Sequence, residues 1–121
     1  MREILFRAKA KFNGTIGSDK WLVSSSIRVH SHRVNVGGID CQPETLGQFT
    51  GLTDKNGVKI FEGDIHQWGN KKGVVEYSIN LAVYFVHHMD GNQVNLPNYQ
   101  LQFDTAQWGE VIGNIHDGEQ K

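Results

Sequence analysis

The sequence predicts a mainly β protein, β-rich α+β at most, arranged as a small, partly open barrel built from antiparallel hairpins. Three observations predict it. Short runs rich in Val, Ile, Phe, Tyr and Trp recur between turn signals, as in all-β domains. The chain has 14 Gly against 2 Pro, which suits many tight turns rather than a stiff linker. Apolar residues alternate in several runs, and only one segment, Asp104 to Trp108, reads as helix.

The elements follow in order. Arg2 to Ala8 reads as an opening strand, and Asn13-Gly14 as a turn where positive φ costs little. After Gly17-Ser18-Asp19, Trp21-Leu22-Val23 restarts an extended segment. Ser26 to Val36 alternates, with Ile27, Val29 and Ser31 on one face and Arg28, His30 and His32 on the other. This predicts one half-buried strand with a basic side in water, broken by Gly37-Gly38. Pro43-Glu44-Thr45 reads as a turn or a single helical turn.

Phe49 to Leu52 and Val58 to Phe61 form a hairpin around Asp54-Lys55-Asn56-Gly57. Ile65 to Trp68 and Gly73 to Tyr77 form another around Gly69-Asn70-Lys71-Lys72. Leu81 to Val86 is apolar on both faces, as a central strand or a subunit contact would be. Asp90-Gly91 signals a hairpin into Val94 to Leu96, and Pro97 ends that strand. Asp104 is the expected N-cap of the short helix, and Glu110 to Ile115 closes the chain as a last strand. The 121 residues are read as a single domain.

Composition excludes several function classes. No apolar stretch reaches the roughly 18 residues of a membrane span, and Ile4-Leu5-Phe6 is too short for the core of a signal peptide. Cys41 is the only cysteine, so no internal disulfide forms, and a cytoplasmic location is the expectation. Net charge is −1, against a strongly basic nucleic-acid binder. The charge is uneven, however: residues 1–40 hold seven basic residues against three acids, and the rest five lysines against ten acids.

Glu62 and Asp64 share a face if extended, but a carboxylate pair lacks the nucleophile, base and oxyanion donors of an active site. His30-Ser31-His32 puts two imidazoles together without a visible third ligand, and His87-His88 point to opposite faces. Cys41 has no neighbouring cation to activate it. No catalytic residue, cofactor or metal is therefore expected. The candidate anion- or nucleic-acid-binding residues are Arg28, His30, His32 and Arg33 on a strand, with Trp68, Lys71 and Lys72 at a loop, where phosphate contacts could join aromatic stacking.

One segment carries a family resemblance. Gln48-Phe49-Thr50-Gly51-Leu52, then Asp54, Asn56-Gly57 and Glu62-Gly63-Asp64, resembles the core motif of the YopX family. Glu110-Val111-Ile112-Gly113-Asn114-Ile115-His116-Asp117 resembles that family's closing block. Phe6-Arg7-Ala8 and Ile39 to Leu46 match more weakly, and Ser24 to Gly38 and Tyr84 to Leu101 follow no family pattern. The resemblance implies a small, mainly β protein encoded by phages and prophages, and it brings no catalytic residues. Glu62-Gly63-Asp64-Ile65 followed by Gly73-Val74-Val75 also looks SH3-like.

Turn and core chemistry accounts for most of the motif. Gly51, Gly57 and Gly63 recur every six residues, suited to turns with unusual backbone angles. Gln48, Phe49, Thr50, Leu52, Asp54, Asn56, Glu62, Asp64, Gly113 and Asn114 are read with them as structural. The functional expectation is non-covalent binding, as a protein-interaction or self-assembling module. The alternative is a nucleic-acid-binding small β-barrel using a basic face.

Overall fold

The computed structural model describes residues 3–11, 20–89 and 99–117. The expected turn at Asn13-Gly14, the segment Gly17-Ser18-Asp19, and the hairpin from Asp90-Gly91 to Pro97 lie outside these residues. Strands make up 57% and helix 9% of the structure, which places it in the mainly β class. Its antiparallel sheets are not closed into a barrel. The chain divides into two compact units, Met1–Phe49 and Thr50–Lys121.

In the first unit, β1 (Phe6–Lys9) pairs antiparallel with β2 (Trp21–Ser24), Lys9 opposite Trp21. A second sheet runs β3 (Ile27–His30), β4 (Arg33–Val36), β5 (Ile39–Cys41). The segment expected as one strand from Ser26 to Val36 is thus a hairpin. Ser31 takes φ 56 at its turn, and His30 faces Arg33. Alternation concealed the turn, because Ser31-His32 carries none of the Gly or Asn letters that normally signal positive φ. Pro43–Thr45 forms a single 3-10 turn. The Thr45 hydroxyl accepts the Lys9 N–H at 2.8 Å and donates to the Gln42 carbonyl at 2.7 Å, fixing that turn to β1. Ala8, Val34, Val36 and Cys41 form this unit's buried core, with Leu22 and Leu46 against it.

Strand β6 (Gly47–Thr53) starts beside β1, with Gln48 opposite Phe6, and ends in the second unit. There follow β7 (Lys59–Phe61), β8 (Asp64–Trp68), β9 (Lys71–Ser78), β10 (Val83–His88), β11 (Tyr99–Gln100), α1 (Phe103–Trp108) and β12 (Glu110–Asn114). Strands β8 to β12 make one sheet, ordered β11-β10-β9-β8-β12. Ile60, Val75, Val86, Leu101 and Ala106 are its buried core. Val75 and Val86 sit opposite each other across β9 and β10, as the period-2 pattern requires.

Three expectations change here. Lys71 and Lys72 open β9 rather than occupying a loop, because Gly69-Asn70 alone makes the turn. Leu81 lies in a turn, and β10 begins at Val83. Ala82 holds that turn at φ 55. Helix α1 begins one residue earlier than expected, with Gln102 as N-cap. Gln102 takes the role expected of Asp104, and Thr105, at the third helical position, accepts the Gln102 N–H through Oγ1 at 2.8 Å.

Candidate functional site

The two sequence blocks that carry the family resemblance meet in the second unit. Asp54 is 2% exposed. Its Oδ1 accepts the N–H of Asn56 (2.8 Å) and of Val58 (2.9 Å), closing its own turn. Its Oδ2 accepts the N–H of Val111 at 2.8 Å, on β12. Asn56 Nδ2 donates to Glu110 Oε2 at 3.2 Å beside it. One carboxylate therefore closes a turn and ties it to a strand 57 residues away. Burial would raise its pKa, but three N–H donors and the nearby His66 hold it below the usual carboxylate value.

A second tie lies at the other end of the hairpin. Asp64, also 2% exposed, accepts the Phe61 N–H at 2.8 Å through Oδ2 and Asn114 Nδ2 at 3.2 Å through Oδ1. Asn114 Oδ1 in turn accepts the His116 N–H at 2.8 Å, and the Ile115 N–H donates to the Gly63 carbonyl at 3.0 Å. Glu62 and Gly63 form the turn between β7 and β8, so Glu62 and Asp64 are not a pair on one extended face. Gly51, Gly57 and Gly63 have φ of 89, 79 and 89, where side chains other than Gly are strained. Thr50 Oγ1 donates to the Ile60 carbonyl at 2.8 Å, Leu52 packs on the core, and Gly113 faces Ile65 beyond a bulge at Ile112. Phe49 is buried and donates its N–H to the Leu5 carbonyl at 2.9 Å.

Around β8 lies an aromatic group that the sequence analysis found only in part. Trp68 sits opposite Lys71, whose Nζ lies 4.8 Å from the Trp68 ring centroid. Trp108 packs against Trp68 at 4.8 Å between centroids and is 53% exposed, and Tyr99 meets Trp68 edge-on at 5.5 Å. Trp108 and Tyr99 were missed because a helix end and a two-residue strand give no periodic signal. Phe103 on α1, and Ile79 and Leu81 in the turn after β9, are exposed at 66%, 85% and 73%. A cleft of about 300 Å³ opens between Ser78, Leu81, Val83, Phe85, Tyr99 and Gln100.

Arg28, His30, His32 and Arg33 are all exposed on the β3–β4 hairpin of the first unit. Trp68, Lys71 and Lys72 belong to the second unit, where Lys72 faces Gln67. The first unit also contains a cation–aromatic group absent from the sequence reading: Trp21, with Arg7 Cζ at 4.7 Å and Lys9 Nζ at 5.4 Å from its ring centroid. Lys9 faces Trp21 directly across β1 and β2, a register that no local sequence signal announces. Among the described residues, no three His, Cys, Asp or Glu side chains gather as a metal set. Burial raises the Cys41 thiol pKa, and its Sγ donates to the Ile39 carbonyl at 3.3 Å. No described helix is long and apolar enough to cross a membrane.

The fold and the paired signature blocks define a small, mainly β protein built on antiparallel sheets. The family model described as YopX protein matches residues 2–120, nearly the whole chain, and the chain belongs to the YopX family. Comparison with curated proteins gave no match.

Proposed function

We propose that this YopX-family chain acts by non-covalent association between protein chains, copies of itself included, through the second unit. The signature blocks hold the scaffold, and the apolar surface around them does the binding. One observation carries the reading. Of twelve exposed large hydrophobic residues among those described, nine lie in the second unit, Ile79, Leu81, Phe103 and Trp108 being the most exposed. That unit holds five basic residues against nine acids, which disfavours a polyanionic partner. Exposed Trp backed by a second aromatic ring is the chemistry of interface anchors. A phage or prophage accessory role in a bacterial cytoplasm belongs to this reading, as the family resemblance implies. Sedimentation velocity is expected to show concentration-dependent association. The triple variant Ile79→Ser, Leu81→Ser, Trp108→Ser is expected to stay folded and monomeric. A parent protein that remains monomeric at millimolar concentration contradicts self-association.

A second reading, nucleic-acid binding, is favoured by the β3–β4 hairpin. Four cationic or titratable side chains stand exposed there, in a unit with seven basic residues against four acids. Fluorescence anisotropy with short DNA and RNA at two salt concentrations tests it, since phosphate contacts weaken steeply with salt. Changing Arg28 and Arg33 to Gln is expected to remove such binding, whereas changing Lys71 and Lys72 leaves most of it. Salt-insensitive or absent binding contradicts this reading.

A further inference from the structure

Beyond association, His66 stands out. It is the fully buried histidine of the second unit, on β8, with both ring nitrogens engaged. Nε2 lies 3.1 Å from the Ala106 carbonyl oxygen of α1. A carbonyl only accepts, so Nε2 carries the hydrogen. A neutral ring then leaves Nδ1 as an acceptor, and the Tyr99 hydroxyl donates to it at 2.7 Å. The same hydroxyl lies 3.4 Å from the His66 carbonyl oxygen. One side chain thus holds both α1 and the two-residue edge strand β11 onto β8. Gly109 packs so closely that a Cβ there would come within 2.6 Å of the His66 ring.

We propose that His66 is an acid-sensed latch whose protonation lifts β11 and α1 from β8 and widens the cleft that Tyr99 and Gln100 wall. A proton taken from solvent onto Nδ1 turns that acceptor into a donor, so Tyr99 must reverse its hydrogen bond. The imidazolium is then a charge with no access to water. Asp54 from the turn before β7 and Asp64 on β8 itself favour the charged ring, and both already accept backbone N–H groups. The packed elements also carry Lys71, Lys72 and Glu76 on β9, Asp104 on α1, Glu110 on β12 and the Tyr99 hydroxyl on β11. Burial outweighs the Ala106 carbonyl and the two carboxylates and keeps the His66 pKa below its ordinary 6.5. Hydrating the ring requires removing its cover. Among the described residues β11 has two in register with β10, Leu101 adds a bond to the Tyr84 carbonyl, and α1 has six residues, so these are the elements that leave at least cost.

The sign follows from linkage. The open state takes up the proton more readily than the closed one, so opening grows as pH falls below about 6.5, by up to about tenfold per pH unit. Native-state hydrogen exchange, corrected for intrinsic rates, reads this directly. The Leu101 and Ala106 amides are expected to lose protection between neutral and mildly acidic pH, while the Val75 amide on β9 does not. In His66→Gln, which keeps one donor and one acceptor and does not titrate, that pH dependence is expected to vanish. Unchanged protection at α1, or a pH dependence retained in His66→Gln, overturns the latch. If His66→Gln does not fold, nitrogen-15 imidazole spectra of the parent protein decide. Nδ1 protonation is expected to move together with the Tyr99 ring resonances, and independent titration of the two overturns the proposal.

Discussion

Replacing Asp54 with Ala is expected to cost about 3–5 kcal/mol, among the largest single losses open to this protein. The substitution removes the acceptor of three backbone N–H groups at once, those of Asn56, Val58 and Val111. Each is a charge-assisted bond, and a donor left buried without a partner costs about 1–3 kcal/mol. Water reaching the exposed turn residues recovers part of that, which keeps the total below the simple sum. Urea denaturation of the parent and the variant measures the loss. Asp54→Asn keeps an acceptor but loses the charge, so it is expected to fall between them. The effect has a pH signature. The folded pKa of Asp54 is lowered, so its contribution is complete above the unfolded value of about 4 and fades as pH falls through the folded value. The gap between parent and Asp54→Asn should therefore narrow in acid.

The second large effect is expected at the other tie. Asp64→Ala leaves the Phe61 N–H and the Asn114 amide without their acceptor in a buried site, for a loss of about 2–4 kcal/mol. Asn114→Ala also releases the His116 N–H. Because Asp64 and Asn114 bond each other, the two losses are not additive. A double-mutant cycle is expected to return a coupling of about 1–2 kcal/mol, within the range for contacting buried groups. Zero coupling would mean that the two signature blocks fold independently. Gly109→Ala is a further check on the same region, since its Cβ would fall 2.3 Å from the Gln67 carbonyl oxygen. A destabilisation of about 1–3 kcal/mol is expected by thermal unfolding.

Much of the second unit was legible in the sequence because its turns announce themselves. Asp54 to Gly57, Gly63 and Gly69 carry letters that take tight turns, and the strands between them fall where those letters leave room. The β3–β4 hairpin was not legible. Its turn uses Ser31 at positive φ, and alternation runs through it unbroken. The pairing of β8 with β12 was equally hidden, since strand partners distant in sequence leave no local trace.

The candidate site divided in the same way. The structural role expected for Asp64 came from its turn letters, and the Phe61 N–H bond fits it. Its bond to Asn114 joins two blocks that could only be read separately. Trp68 and Lys71 were named for charge and aromaticity, and their stacking follows from direct cross-strand register. Trp108 and Tyr99 complete that group from a helix end and a short edge strand. His66 read as one polar letter in a strand, and its burial depends on α1 and β11 folding over it.

The YopX signature residues of this chain bind one another, Asp54 to the Val111 amide and Asp64 to Asn114. Hydrogen exchange at the Val111 amide reads the first of these ties. That amide sits on edge strand β12 and is held by the Asp54 side chain alone. Slow exchange is expected in the parent protein, close to that of the Val75 amide, with loss of that protection in Asp54→Asn while Phe61 keeps its own. Fast exchange at Val111 in the parent, or protection unchanged in Asp54→Asn, would contradict it.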